Sequence, residues 1–129
     1  MKPQDRFIEA CTEMNVAEVK RLIEYVDYQD KYYETGLLAA CRVYHPETLE
    51  IVRFLLENGA NPDISNDDGV NPIDLTLRYS CFVPELTCLL FEYSEQGVNR
   101  VDKYGYTYMS MCATDEAERF LINEGYNLD

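Results

Sequence analysis

Tryptophan is absent from this chain, histidine occurs once, and Lys and Arg number 11 against 24 Asp and Glu. Each shortage removes a class of function. With a formal charge of −13 and no cluster of Lys and Arg, the chain lacks the cationic surface needed to grip a phosphate backbone or an anionic membrane. A single histidine, His45, rules out a histidine-built metal site, and five cysteines with neither zinc-type nor secreted-scaffold spacing read as reduced thiols. No apolar run reaches bilayer length, and Met1-Lys-Pro-Gln-Asp-Arg6 carries no apolar signal segment, so a soluble, cytoplasmic protein is expected. Phosphate loops and dinucleotide glycine sets are also missing. No cofactor and no metal is expected.

Catalysis has little to work with. His45 stands directly before Pro46 in a link, with Cys41 the nearest thiol in sequence, and a Cys–His dyad needs a positioned base and an oxyanion site besides. No catalytic residue is assigned. Asp67-Asp68-Gly69 resembles a fragment of a calcium loop but lacks the further ligands and the closing Glu, so it reads as a turn. Cys11, Cys41 and Cys112 fall where small residues pack between helices; Cys81 and Cys88 have no basic neighbour other than Arg78 to activate them.

What is present is a folding pattern. A chain of 129 residues with 47% hydrophobic content can bury one domain's core. Phe7, Ile8, Ala10, Cys11 and Met14 mark one amphipathic helix, and after Asn15 the residues Val16, Val19, Leu22, Ile23 and Val26 mark a second. Thr35 to Cys41 reads as a short helix rich in small residues, ended by the His45-Pro46 step. A strongly apolar helix is expected over about Pro46 to Asn58, stopped by Gly59 and followed by an Asn61-Pro62 turn. Asn66-Asp-Asp-Gly69 is a hairpin-type turn, Asn71-Pro72 a capped helix start, and a further helix follows Pro84.

These pieces repeat. Ile51-Val-Arg-Phe-Leu-Leu-Glu-Asn-Gly-Ala-Asn-Pro-Asp63 returns as Arg119-Phe-Leu-Ile-Asn-Glu-Gly-Tyr-Asn-Leu-Asp129, and a register of 36 residues aligns Asp30, Asn66 and Asp102 as well as Thr35, Asn71 and Thr107. With Asn66-Asp-Asp-Gly-Val-Asn-Pro-Ile-Asp74 at a helix start and Glu50-Ile-Val-Arg-Phe-Leu-Leu-Glu-Asn-Gly-Ala-Asn61 at a close, the chain resembles the ankyrin repeat family. The resemblance implies an all-α solenoid of four helix-turn-helix units, about 4–29, 30–65, 66–101 and 102–129, joined by hairpin-like turns and capped at both ends. The family's Thr-Pro-Leu-His survives only as Thr35-Gly-Leu-Leu38, Asn71-Pro-Ile-Asp74 and Thr107-Tyr-Met-Ser110, so its histidine contact to the neighbouring loop is missing throughout. Residues 44–49 and 79–84 lengthen two inter-helix links.

The resemblance also implies where a partner would sit, on the concave face of turn tips and first helices. Of eleven tyrosines, Tyr32, Tyr33, Tyr44, Tyr79, Tyr104 and Tyr106 map there. Tyrosine supplies large, stiff contact area with a polar tip. Glu34, Asp67, Asp68, Asp74 and Asp115 share those places, with Arg42, Arg78, Lys103 and Val70 among them. The expected function is non-catalytic protein binding by a monomer, most sharply as an acidic inhibitor or immunity-type protein that occludes a basic site. The alternative is a scaffold or adaptor, as a virus- or symbiont-encoded host-interaction factor.

Overall fold

Asp30, Asn66 and Asp102 each carry a short side-chain acceptor, and each closes the same turn. The Oδ1 atom of Asp30 accepts the amides of Tyr32 (2.8 Å) and Glu34 (3.0 Å), that of Asn66 those of Asp68 (2.9 Å) and Val70 (3.2 Å), and that of Asp102 those of Tyr104 and Tyr106 (both 2.9 Å). The 36-residue register thus reappears as one repeated hydrogen-bond pattern, which is the Asx-turn chemistry favoured by these side chains. The backbone at Asp67 also donates to the Tyr32 carbonyl (3.1 Å), tying one tip to the next.

The computed structural model describes residues 1–127, so the Leu128-Asp129 end of the second closing phrase lies outside the described residues. Seven α-helices are present among them. In order, α1 spans Pro3–Glu13, α2 Val16–Arg21, α3 Gly36–Cys41, α4 Thr48–Glu57, α5 Pro72–Leu77, α6 Pro84–Tyr93 and α7 Asp115–Asn123. Asn15, Thr35, Asn71 and Thr114 cap α2, α3, α5 and α7 by accepting a backbone amide three residues on. Asn71 and Asp74 form a full capping box at α5. The two closing phrases end alike: Gly59 and Gly125 take positive φ, and the amides of Ala60 and Tyr126 fold back to Leu55 and Leu121.

The helices stack in two rows. α1, α3 and α5 form the first, α4 packs on α3 and α6 on α5, and α4 and α6 meet in the second. None of the first-row helices can bury its apolar face alone, so the core runs through all of them: Phe7, Leu37, Leu38, Ile51, Leu55, Ile73, Leu77, Leu86 and Leu90 are closed off from solvent. The architecture is the all-α repeat solenoid, with an isolated bridge between Val101 and Thr107 in the last turn. Among the described residues no helix is long and apolar enough to cross a membrane.

Two expectations need correction. The first helix of the last unit shrinks to a single 3-10 turn, Met109–Met111, because the Ala113 amide donates to the Leu77 carbonyl (3.0 Å) and draws the chain across the end of α5. The fourth helix starts at Thr48 rather than Pro46, since the Thr48 hydroxyl accepts the His45 amide (2.9 Å) and the Thr48 amide returns to the His45 carbonyl (3.1 Å), making a closed turn of the link.

Candidate protein-interaction site

The turn residues that spend their Asx oxygens on backbone amides push the side chains between them outward. Tyr32, Tyr33, Tyr104 and Tyr106 remain 58%, 56%, 60% and 55% exposed, and the Asp67-Asp68 tip stands between them in the stack. Lys31 lies 5.2 Å from the Tyr32 ring centroid and Lys103 5.2 Å from that of Tyr104, so the ring faces already sit in contact with cations. Lys103 also donates to the Asp67 carbonyl (3.2 Å). The carboxylates of Asp67 and Asp68 form no ion pair with any described residue.

Tyr33 holds a conformation its side chain disfavours. It has φ 63°, and the register places Gly69 (φ 79°) and Gly105 (φ 85°) at the same point of the next two turns. Two turns use glycine for the left-handed region; the first puts a bulky ring there, exposed and unsupported by burial.

A groove of about 470 Å³ beside this first tip is lined by Asp30, Tyr32, Glu34, Arg42, Asp67 and Asp68. Glu34 is drawn into the scaffold: it pairs with Arg42 and accepts from the Asn66 amide group (2.7 Å). Val70 is half-buried and packs against the core. Asp115 is exposed at the first turn of α7.

Asp74 was expected on the contact face and is instead inside the protein. Its carboxylate accepts the Asn71 amide (3.0 Å) and pairs with Arg100, whose guanidinium lies 3.9 Å from the Tyr108 ring centroid; Tyr108 in turn takes a hydrogen bond from Asn71 (2.9 Å). Burial pushes the Asp74 carboxyl up from its ordinary value, while the Asn71 amide and Arg100 pull it down. The histidine place of the family pattern is thus filled by a residue that still reaches the next turn, through Arg100. Arg100 was not singled out from the sequence, since it is one cation among eleven and its partner lies 26 residues away.

The lengthened links build a second surface. Tyr44 and Tyr79 meet with ring centroids 6.4 Å apart, and the Tyr79 hydroxyl donates to the Cys41 carbonyl at the end of α3. Burial pushes the Tyr79 hydroxyl up. Arg42 and Arg78, equivalent in the register, flank these rings, and Arg78 touches the Met111 sulfur (3.1 Å). Arg42 therefore borders both grooves. Val43, missed in the sequence, is 59% exposed here; an apolar residue in a polar link was the available signal. Cys41, the thiol nearest His45 in sequence, is fully buried and pushed up by desolvation, the reverse of what a nucleophile needs.

Residues 32–67 match the ankyrin repeat family model. An ankyrin repeat protein of Acanthamoeba polyphaga mimivirus is 29% identical over 101 residues, a span that covers 76% of this chain and 24% of the relative. The chain therefore spans about a quarter of the length of the curated relative it matches.

Proposed function

We propose, from the match of residues 32–67 to the ankyrin repeat family model and the similarity to an ankyrin repeat protein over 101 residues, that this chain is an ankyrin-type binding module whose turn tips bind a basic surface of a partner protein and occlude it, without catalysis. The observation that carries this is the tip row itself. Tyrosines exposed on the first and last turns bracket Asp67 and Asp68, two carboxylates with no ion pair to any described residue. The Tyr33 and Tyr106 rings, over which no described residue places a cation, supply rigid aromatic area for cation–π contact, and the two carboxylates supply charge-assisted hydrogen bonds to Lys and Arg. The formal charge of −13 adds long-range steering toward a cationic partner.

The test is affinity capture from the producing cells with wild-type protein and with the Tyr32→Ala, Tyr33→Ala, Tyr104→Ala, Tyr106→Ala quadruple variant, followed by association kinetics on the captured partner. Wild type should retain a partner that the variant loses, and the association rate should fall by about tenfold or more from low to physiological salt. A partner held equally by both proteins sinks the proposal. Retention by the tips with a salt-independent rate favours the scaffold reading over occlusion.

A further inference from the structure

We propose that the groove over the two lengthened links is a second binding site, of opposite charge preference to the tips, which takes an extended acidic segment of a partner protein carrying one apolar side chain between carboxylates. The observations lie in the lining. The groove has a volume of about 520 Å³ and is built by residues 42–44 of one link and by residues 78–81 and 83 of the next. Val43, Tyr44 and Tyr79 supply an apolar floor. Arg42 and Arg78 flank it, one from each rung, and no carboxylate lines it among the described residues.

That composition is uncommon on this molecule. The chain carries 24 acidic residues against 11 basic ones, and the neighbouring groove at the tips sets Asp30, Glu34, Asp67 and Asp68 against the single guanidinium of Arg42. On the far side of Arg42, which borders both grooves, the sign reverses. Arg42 is held by Glu34, whereas Arg78 forms no ion pair with any described residue: it donates to the Met111 sulfur and acts on the Asp74 carboxylate only through space, so its guanidinium keeps donors for a ligand. Guanidinium groups present forked donors that match carboxylates, and the exposed valine and tyrosine rings lose water when an apolar side chain enters between them. Nucleic acid and anionic membranes present dense phosphate charge over a large area, which the −13 chain repels as a whole; a short segment with a few carboxylates meets mainly the field of the two nearby guanidinium groups, the rest being screened.

The probe is a phage-displayed library of random peptides selected on the immobilised full chain. Enriched peptides are then measured by fluorescence anisotropy against wild type, Arg78→Glu, Val43→Asp and the tip quadruple variant, each checked for folding by circular dichroism. The expected peptides combine an aromatic or aliphatic residue with flanking Asp or Glu. They should bind Arg78→Glu and Val43→Asp at least about tenfold more weakly, and the tip variant unchanged. Arg78→Lys should keep part of the binding, since the charge remains and the fork is lost. A selection that enriches nothing, or peptides indifferent to Arg78→Glu and Val43→Asp, overturns the site. Basic peptides lost on the tip variant would overturn it while supporting the tip reading. A concentration-dependent doubling of mass abolished by Arg78→Glu would overturn it in favour of a second copy of this chain as occupant.

Discussion

The Asp74 carboxylate and the Arg100 guanidinium face each other in the interior, with side chains only 1% and 6% exposed, and together they join the start of α5 to the turn of the next unit. An ion pair at this depth must offset a large desolvation cost, so removing one partner is worse than removing both. Arg100→Met should destabilise the protein by about 3–5 kcal/mol. The double variant Asp74→Asn, Arg100→Met, which keeps a side-chain acceptor for the Asn71 amide, should be milder than Arg100→Met alone. Urea unfolding of the two variants decides this. If the single variant loses less than about 1 kcal/mol, within the range of an ordinary surface pair, the pair does not hold the units together.

Tyr33 invites the opposite experiment. A non-glycine residue in the left-handed region costs about 1–2 kcal/mol, and both register equivalents of Tyr33 are glycine. Tyr33→Gly should therefore raise the unfolding free energy, by up to about 1 kcal/mol once the added chain entropy of glycine is subtracted, and at the same time weaken partner binding. A gain in stability at the expense of binding is the signature of a residue kept for contact. If Tyr33→Gly leaves binding unchanged, the strain at this tip has no part in recognition.

How much of this could be read from residues alone differs by feature. The spacing of Asp30, Asn66 and Asp102 was legible because the turn chemistry is local: each side chain bonds amides within four residues. The left-handed Tyr33 is legible too, because the register lays it over Gly69 and Gly105. Asp74 was misplaced because its fate depends on Arg100 and Tyr108, which come together only when consecutive units stack. For the same reason Tyr108 counts as core although its neighbours Tyr104 and Tyr106 are exposed; it stands edge-on to Phe91 at 5.5 Å between centroids. The collapse of the last unit's first helix follows from a hydrogen bond to Leu77, which no local pattern encodes. Separation of these residues into two grooves likewise needs three dimensions, since they alternate along the chain: residues near 30–34 and 66–68 line one, residues near 42–44 and 78–83 the other.

Gly36 shows how a departure from the family pattern can be structural. It stands where the pattern has proline, and a Cβ there would lie 2.5 Å from Phe7 Cε2, 3.0 Å from Cys11 Sγ and 3.1 Å from Phe7 Cζ. Phe7 is fully buried between α1 and α3, so the ring has nowhere to retreat. Gly36→Ala should destabilise by about 1–3 kcal/mol in chemical denaturation, despite the better helix propensity of alanine. A neutral or stabilised variant would mean that α1 packs on α3 more loosely than these distances allow.

The thiols report the same packing in a chemical readout. Cys11 and Cys41 are buried, and desolvation pushes the Cys11 thiol up to about 12 and Cys41 further still; Cys112 is half-buried and pushed up to about 11. Only the thiolate reacts with a maleimide, so at neutral pH Cys11 should label roughly a thousandfold more slowly than a free thiol from its shifted acidity alone, before steric protection is counted. Cys81 and Cys88 are exposed and should label first, with Cys88 slowed by the desolvation that raises it. Peptide mass spectrometry of a labelling time course gives the order, and equal rates at Cys11 and Cys81 would contradict the packing of α1 against α3. Because Cys81 lines the cationic groove and Cys88 does not, an acidic peptide seated there should slow Cys81 while leaving Cys88 unchanged. The two exposed cysteines thus serve as each other's control for where the peptide binds.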